Sequence, residues 1–221
     1  MSGIRDFAEY VDDFWGADTY STAGQGSPWA IADTSSSGTP TYAHVSPSAT
    51  GEIALTLAAT SEVENVCLSF GDVLPFDIDN LQRFEARVKV SGCTTDTTIA
   101  WGLATARNDT PGSIANRALF RMTGATSTTA VTVETDDATT DSGLIATGAT
   151  LATVYKEFVI DFTGGKSNVK FYIDGVRVAS ATTFSLAGFS ASMQPFFQIQ
   201  KAANTNVDAI TIDYVRVLLR R

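Results

Sequence analysis

Two runs, Phe158-Val159-Ile160-Asp161-Phe162 and Val169-Lys170-Phe171-Tyr172-Ile173-Asp174-Gly175-Val176-Arg177-Val178-Ala179, decide how this chain of 221 residues folds. In the first, Phe158, Ile160 and Phe162 alternate with Glu157, Val159 and Asp161, the period of two that a half-buried strand requires. Gly164-Gly165 then supplies a turn. In the second, Asp174-Gly175 separates two alternating segments, and a two-residue Asp-Gly link in that setting is the strongest short-range signal of a β-hairpin.

The same alternation extends outward from this hairpin. Ile53, Leu55 and Leu57 point one way and Glu52, Thr56 and Ala58 the other; Val66, Leu68 and Phe70 repeat the pattern. Phe84, Ala86, Val88 and Val90 oppose Glu85, Arg87 and Lys89, and 99–103, 119–122, 130–133 and 196–200 are further strand candidates. In 209–218 the apolar face switches from Ile210, Ile212 and Tyr214 to Val215 and Val217, which predicts a β-bulge near Tyr214. About ten strands without a βαβ rhythm imply an all-β antiparallel β-sandwich or jelly roll. One helical pattern stands apart, since Ile4, Phe7, Ala8 and Val11 share a face at spacings of three, four and seven. The predicted organisation is a short N-terminal helical arm over 1–15 and a single β-sandwich domain over 16–221, with 29–51 forming loops and short strands between Pro28, Pro40 and Pro47.

Composition narrows the function. Lys and Arg number 15 against 24 Asp and Glu, giving a net charge of −9 and an isoelectric point near 4.5. Nucleic acid is excluded as a partner, because phosphate backbones are held by clustered basic residues, and acidic membrane surfaces are disfavoured for the same reason. The 44% hydrophobic content suits a globular core. The N-terminus carries Arg5, Asp6, Glu9, Asp12 and Asp13 where a signal peptide needs an apolar segment, so neither export nor membrane insertion is expected. Cys67 and Cys93 lie in or beside strand-like runs and read as buried thiols rather than a disulfide.

From Phe158 onward, the pair of runs quoted above together with Ile210-Thr211-Ile212-Asp213-Tyr214-Val215 resembles the closing strands of concanavalin A-like lectin/glucanase domains. That resemblance implies a jelly roll whose final strand returns beside the N-terminal segment, here Asp13-Phe14-Trp15. Lectins, glycosidases, laminin-G-like modules and virion proteins share such domains, so the fold alone does not assign an activity. The whole chain, Thr-, Ala- and Gly-rich with a short arm, is also similar to bacteriophage virion proteins. That likeness implies a non-enzymatic structural role as a capsid decoration or head-exterior component. It would be made in the host cytoplasm, act in the virion, contact phage capsid protein and form a homo-oligomer. The alternative expectation is a carbohydrate-binding module for attachment to a host surface glycan.

Candidate sites follow from residue chemistry. Jelly-roll glucanases carry Glu-x-Asp-x-x-Glu on one strand; no such run is found, and the nearest same-face pair, Glu157 and Asp161, is about 13 Å apart at the backbone. His44 is the single histidine and has no evident catalytic partner, so no catalytic residue is assigned and the chain is expected not to be an enzyme. No cofactor is required. Calcium is the one metal the sequence admits, through Asp136, Asp137 and Asp141, although Asp and Thr at this density also make ordinary turns. Glycan binding would draw on Trp101, Asn108, Asp109 and Asn116, with Trp101 in an apolar run that also suits a core position. Partner binding would use Ile4, Phe7 and Val11 on the arm.

Overall fold

Alternation becomes strand along most of the chain. The computed structural model describes residues 6–15, 28–48 and 51–221. In chain order the strands are β1 (Phe7–Asp12), β2 (Ala30–Asp33), β3 (Thr41–His44), β4 (Ile53–Thr56), β5 (Glu62–Ser69), β6 (Phe76–Asp77), β7 (Leu81–Val90) and β8 (Thr97–Ala104). They continue with β9 (Asn116–Thr123), β10 (Ala130–Asp137), β11 (Ile145–Thr150), β12 (Lys156–Asp161), β13 (Lys170–Ile173), β14 (Val176–Val178), β15 (Ser192–Asn204) and β16 (Ala209–Arg220). Two antiparallel sheets result. One runs β14-β13-β12-β7-β16-β4-β3 with β1 on β16; the other runs β11-β10-β9-β8-β15-β5-β2 with β6 on β15.

The sheets face each other across one apolar core. Phe84, Ala86 and Val88 of β7 and Ile210, Ile212, Val215 and Val217 of β16 point inward from one side, and Ile99, Trp101 and Leu103 of β8 with Phe197 and Ile199 of β15 from the other. Phe158 seals the layers, its ring centroid 4.8 Å from Trp101 and 5.0 Å from Phe120, both edge-on. Each such aromatic pair adds about 0.5–1.5 kcal/mol beyond the area it buries.

The hairpin forms as expected. Asp174 (φ +50°) and Gly175 (φ +76°) occupy the two left-handed positions of a tight turn whose twist matches the flanking strands. Asp174 also accepts the Glu157 N–H at 3.0 Å and Lys156 Nζ at 2.8 Å. The register slips between Ile212 and Tyr214, which is the expected bulge.

The N-terminal segment departs from expectation. Phe7–Asp12 is not helical but forms β1, paired with β16 from Val215 to Arg220. The cause is a free edge: β4 covers β16 only from Ala209 to Ile212. Six residues gain little as an isolated helix, whereas the extended segment packs Tyr10 on Phe70 and Phe76. Ile4 lies outside the described residues. The segment beside the final strand is therefore 7–12 and not Asp13-Phe14-Trp15.

Candidate functional site

On the β15 sheet, cross-strand register sets the outward side chains in rows. Gln200 lies opposite Thr98 and Asn65, Gln198 opposite Ala100 and Cys67, and Phe196 opposite Gly102 and Ser69. The small residues of β8 leave a trough, and the β8–β9 connection (105–115) folds into it. Its Ile114 is buried against Ala100, Ala104, Leu119 and Phe196, and Pro111 is buried in a 3-10 turn. Gly102, at φ +145°, is fixed by the close approach of β9: a Cβ there would sit 2.3 Å from the Ala118 carbonyl oxygen.

Beyond the connection, the outer face opens into a groove of about 390 Å³ walled by Asn65, Gln200, Asp96, Asp109, Thr34 and Thr110. Its hydrogen bonding is unbalanced. Asn65, 4% exposed, directs Nδ2 toward three acceptors, the Asp109 carbonyl (3.1 Å), Asp109 Oδ1 (3.2 Å) and Gln200 Oε1 (3.3 Å). Gln198 Nε2 donates to the same Asp109 carbonyl (3.2 Å) and the same Gln200 Oε1 (3.0 Å). Both amides thus use up their N–H groups, and Asn65 Oδ1 and Gln198 Oε1 accept nothing from the described protein. Buried oxygens left in that state cost about 1–3 kcal/mol each until a donor arrives.

The base of the groove is fixed. Lys201 and Glu64, both fully buried, pair at 3.8 Å; Lys201 Nζ also donates to the carbonyls of Ala58, Thr60 and Asn206. Glu64 accepts the Ala58 N–H at 2.7 Å and Thr60 Oγ1 at 2.8 Å. Asp109 is held at the rim by Thr34 Oγ1 at 2.7 Å and by Arg107.

A second polar constellation occupies the outer face of the β16 sheet. Tyr214 Oη donates to Glu85 Oε1 at 2.5 Å and lies 3.3 Å from Glu157 Oε2, and Arg83 stands 2.8 Å from Glu85 and 3.8 Å from Glu157. Burial, reinforced by the Glu85 carboxylate, pushes the Tyr214 phenol well up, so it remains a donor. A groove of about 330 Å³ adjoins these groups, with Tyr172, Val159 and Asp161 in its wall. Glu157 therefore meets a carboxylate on β7 more closely than the sequence pairing with Asp161 suggested.

The remaining sequence candidates are dispersed. Trp101 is fully buried in the core and presents no face to a ligand, because its position in β8 has inward parity. Asn108 is exposed, its Oδ1 accepting the Thr110 N–H at 2.8 Å, and Asn116 is half-buried at the start of β9. Asp109 is the one of the four that reaches the groove; Asn65, Gln198 and Gln200 went unnoticed. Their signal was present in the spacing of Gln194, Gln198 and Gln200, three amides on one face of an otherwise apolar strand.

Asp136, Asp137 and Asp141 do not gather round a metal position. Asp136 and Asp141 hold Arg117 at 2.6 and 3.2 Å, together with Glu134 at 3.1 Å, and the charges of these acids outweigh desolvation to keep the guanidinium firmly protonated. Asp137 instead accepts the backbone N–H groups of Thr139, Thr140 and Gly188. Among the described residues no cluster of three acidic, His or Cys side chains is arranged to hold a metal. His44 sits half-buried on β3, and Cys67 and Cys93 are buried free thiols. Phe7 and Val11 point outward from β1, 49% and 55% exposed.

No protein-family model and no curated protein sequence matches the chain. Solved structures do. A Bacillus licheniformis β-glucanase shares 16% identity over 95% of this chain and 97% of its own, with a TM-score of 0.63. A Bacteroides ovatus mixed-linkage-glucan GH16 protein, in complex with a G4G4G3G product, shares 12% identity over 94% and 99%, with a TM-score of 0.63. The Emp47p carbohydrate recognition domain shares 13% identity over 87% and 88%, with a TM-score of 0.55. The fold is thus the concanavalin A-like lectin/glucanase jelly roll. This corrects the expectation that the chain is not an enzyme: that view rested on a missing sequence motif, whereas the fold is one that glucanases take over nearly their full length.

Proposed function

We propose that the chain recognises a glycan through the groove walled by Asn65, Asp109 and Gln200. The observation that carries this reading is a preorganised polar wall, in which Asn65, fixed on Asp109 and Gln200, keeps one buried amide oxygen without a partner beside an exposed carboxylate. Sugar hydroxyls supply donors at the spacing of a pyranose ring. The amides are already fixed by Asp109 and Gln200, so little side-chain entropy is lost on binding. Attachment to a host surface glycan is the setting we favour. Retention on a glycan array, followed by titration, tests it: Asn65→Ala and Gln200→Ala should each weaken binding at least about tenfold, roughly 1.4 kcal/mol. A wild-type protein that binds no glycan overturns it.

A second reading, glycan cleavage, is favoured by Glu85, Tyr214 and Glu157. The two contacts of Tyr214 put its carboxylate neighbours at most about 6 Å apart, near the roughly 5–5.5 Å used by retaining glycosidases. Reducing-end release from β-glucan, abolished in Glu157→Gln and in Glu85→Gln alike, would support it; release unchanged in both, or no release by the wild type, would sink it.

Capsid decoration draws support from the outward Phe7 and Val11 on β1, a strand paired on one side only among the described residues. Cosedimentation with phage shells, lost in Phe7→Ser/Val11→Ser, is its test, and absence of wild-type cosedimentation counts against it.

A further inference from the structure

We infer that the groove selects a sugar carrying a free amino group, an inference that rests on the glycan reading above. The acceptors in the groove wall are the first ground. Acceptors crowd the site: the Asp109 carbonyl and carboxylate, Gln200 Oε1 and the unpartnered Asn65 Oδ1. A hydroxyl brings one donor, an acetamido group one donor with an acceptor and a methyl, and an ammonium three donors with no acceptor.

Charge is the second ground. The basic groups near the groove are already engaged: Lys201 is buried on Glu64 and three carbonyls, and Arg107 is paired with Asp109. Asp96 is paired with no cation among the described residues. Its side-chain contact is the neutral Asn204 Nδ2 at 3.4 Å, which leaves an exposed carboxylate at the groove wall uncompensated. A cationic sugar therefore gains Coulomb attraction from Asp96, and hydrogen bonds to it and to the Asp109 carboxylate, while a uronate or sialate adds acceptors and negative charge to an acceptor-rich site. The chain's net charge of −9 acts in the same direction over longer range.

The experiment is calorimetric titration of the full chain near pH 6 with three β-1,4-linked hexasaccharides that differ only at C2. They are the glucosamine oligomer, its N-acetylated form and cellohexaose, with hexalysine as a control for unspecific cation binding. We expect the glucosamine oligomer to bind at least tenfold tighter than the other two sugars and tighter than hexalysine. The preference should vanish in Asp96→Asn/Asp109→Asn and shrink as pH rises and the sugar amine loses its proton. Equal affinity for the three sugars overturns the inference and leaves the glycan reading standing, as does binding of some other glycan with none of these three. A preference that persists in the double variant, or is matched by hexalysine, also overturns it. If no glycan of any class binds, both readings fall.

Discussion

Asn65 donates its side-chain amide to both the carbonyl and the carboxylate of Asp109, at 3.1 and 3.2 Å, and so fastens β5 to the β8–β9 connection 44 residues away. That contact shapes the rim of the groove. Asn65→Ala should release the connection: backbone amides in 105–115 should exchange hydrogen at least about tenfold faster while the core strands keep their protection. Unchanged exchange in 105–115 would show that buried Ile114 and Pro111 and the remaining contacts of Asp109 hold the connection without Asn65.

Arg117 is buried among Glu134, Asp136 and Asp141. Removing the guanidinium leaves Glu134 charged, buried and poorly matched, and breaking such a pair costs about 3–5 kcal/mol. Arg117→Met should lose that much in urea denaturation, and adding Glu134→Gln should restore part of it. A loss below about 1 kcal/mol would mean that solvent reaches the cluster.

Acid should weaken the fold through Asp137. Desolvation pushes this carboxyl up, but three backbone N–H donors, from Gly188, Thr140 and Thr139, outweigh it and hold the carboxyl below its usual range. A native value below the unfolded value of about 3.9 means that the stabilisation is complete above the unfolded value and is lost as pH falls through the native one. Asp137→Asn should therefore be less stable at neutral pH and show a shallower decline below about pH 4, as followed by thermal melts across pH. A decline parallel to wild type would assign the acid limb to other carboxylates, Asp174 first, whose Lys156 contact and Glu157 N–H likewise outweigh desolvation.

Burial pushes the thiols of Cys67 and Cys93 up to about 12. Because the thiolate is the reactive form, neither should react with a thiol reagent at pH 8 in the folded protein, and both should react once denaturant is added. Reaction of either thiol within minutes under native conditions would reveal local opening of its strand.

Gly102→Ala places a methyl 2.3 Å from a backbone oxygen at a positive φ. The β8–β9 pairing at Ala118 and Leu119 must shift to make room. We expect a loss of about 2 kcal/mol or more in the melting equilibrium, and a change under about 0.5 kcal/mol would contradict the close approach.

What was legible in the sequence is what neighbours along the chain determine. The Asp174-Gly175 turn follows from two residues that tolerate positive φ, and the bulge before Tyr214 follows from a switch in the parity of apolar positions. The strand at Phe7–Asp12 was missed because Phe7, Ala8 and Val11 also satisfy helical spacing, and the deciding factor, an open edge on β16, lies over 200 residues away. The groove was half legible. Asp109 is among the glycan candidates grouped with Trp101, but its meeting with Asn65 and Gln198 depends on strand register and on how 105–115 folds back. The same long-range register brings Glu85 to Tyr214 and Glu157, a convergence that no single strand displays.

The proposed glycan site at the Asn65–Asp109–Gln200 groove is tested most directly by nitrogen-15 NMR during titration with a glycan retained on the array. Saturable shifts of the side-chain amides of Asn65, Gln198 and Gln200 and of the backbone over 107–110 are expected. Shifts confined to the outer face of the β16 sheet, around Arg83, Glu157 and Tyr172, with the Asn65 and Gln200 amides unmoved, would contradict it.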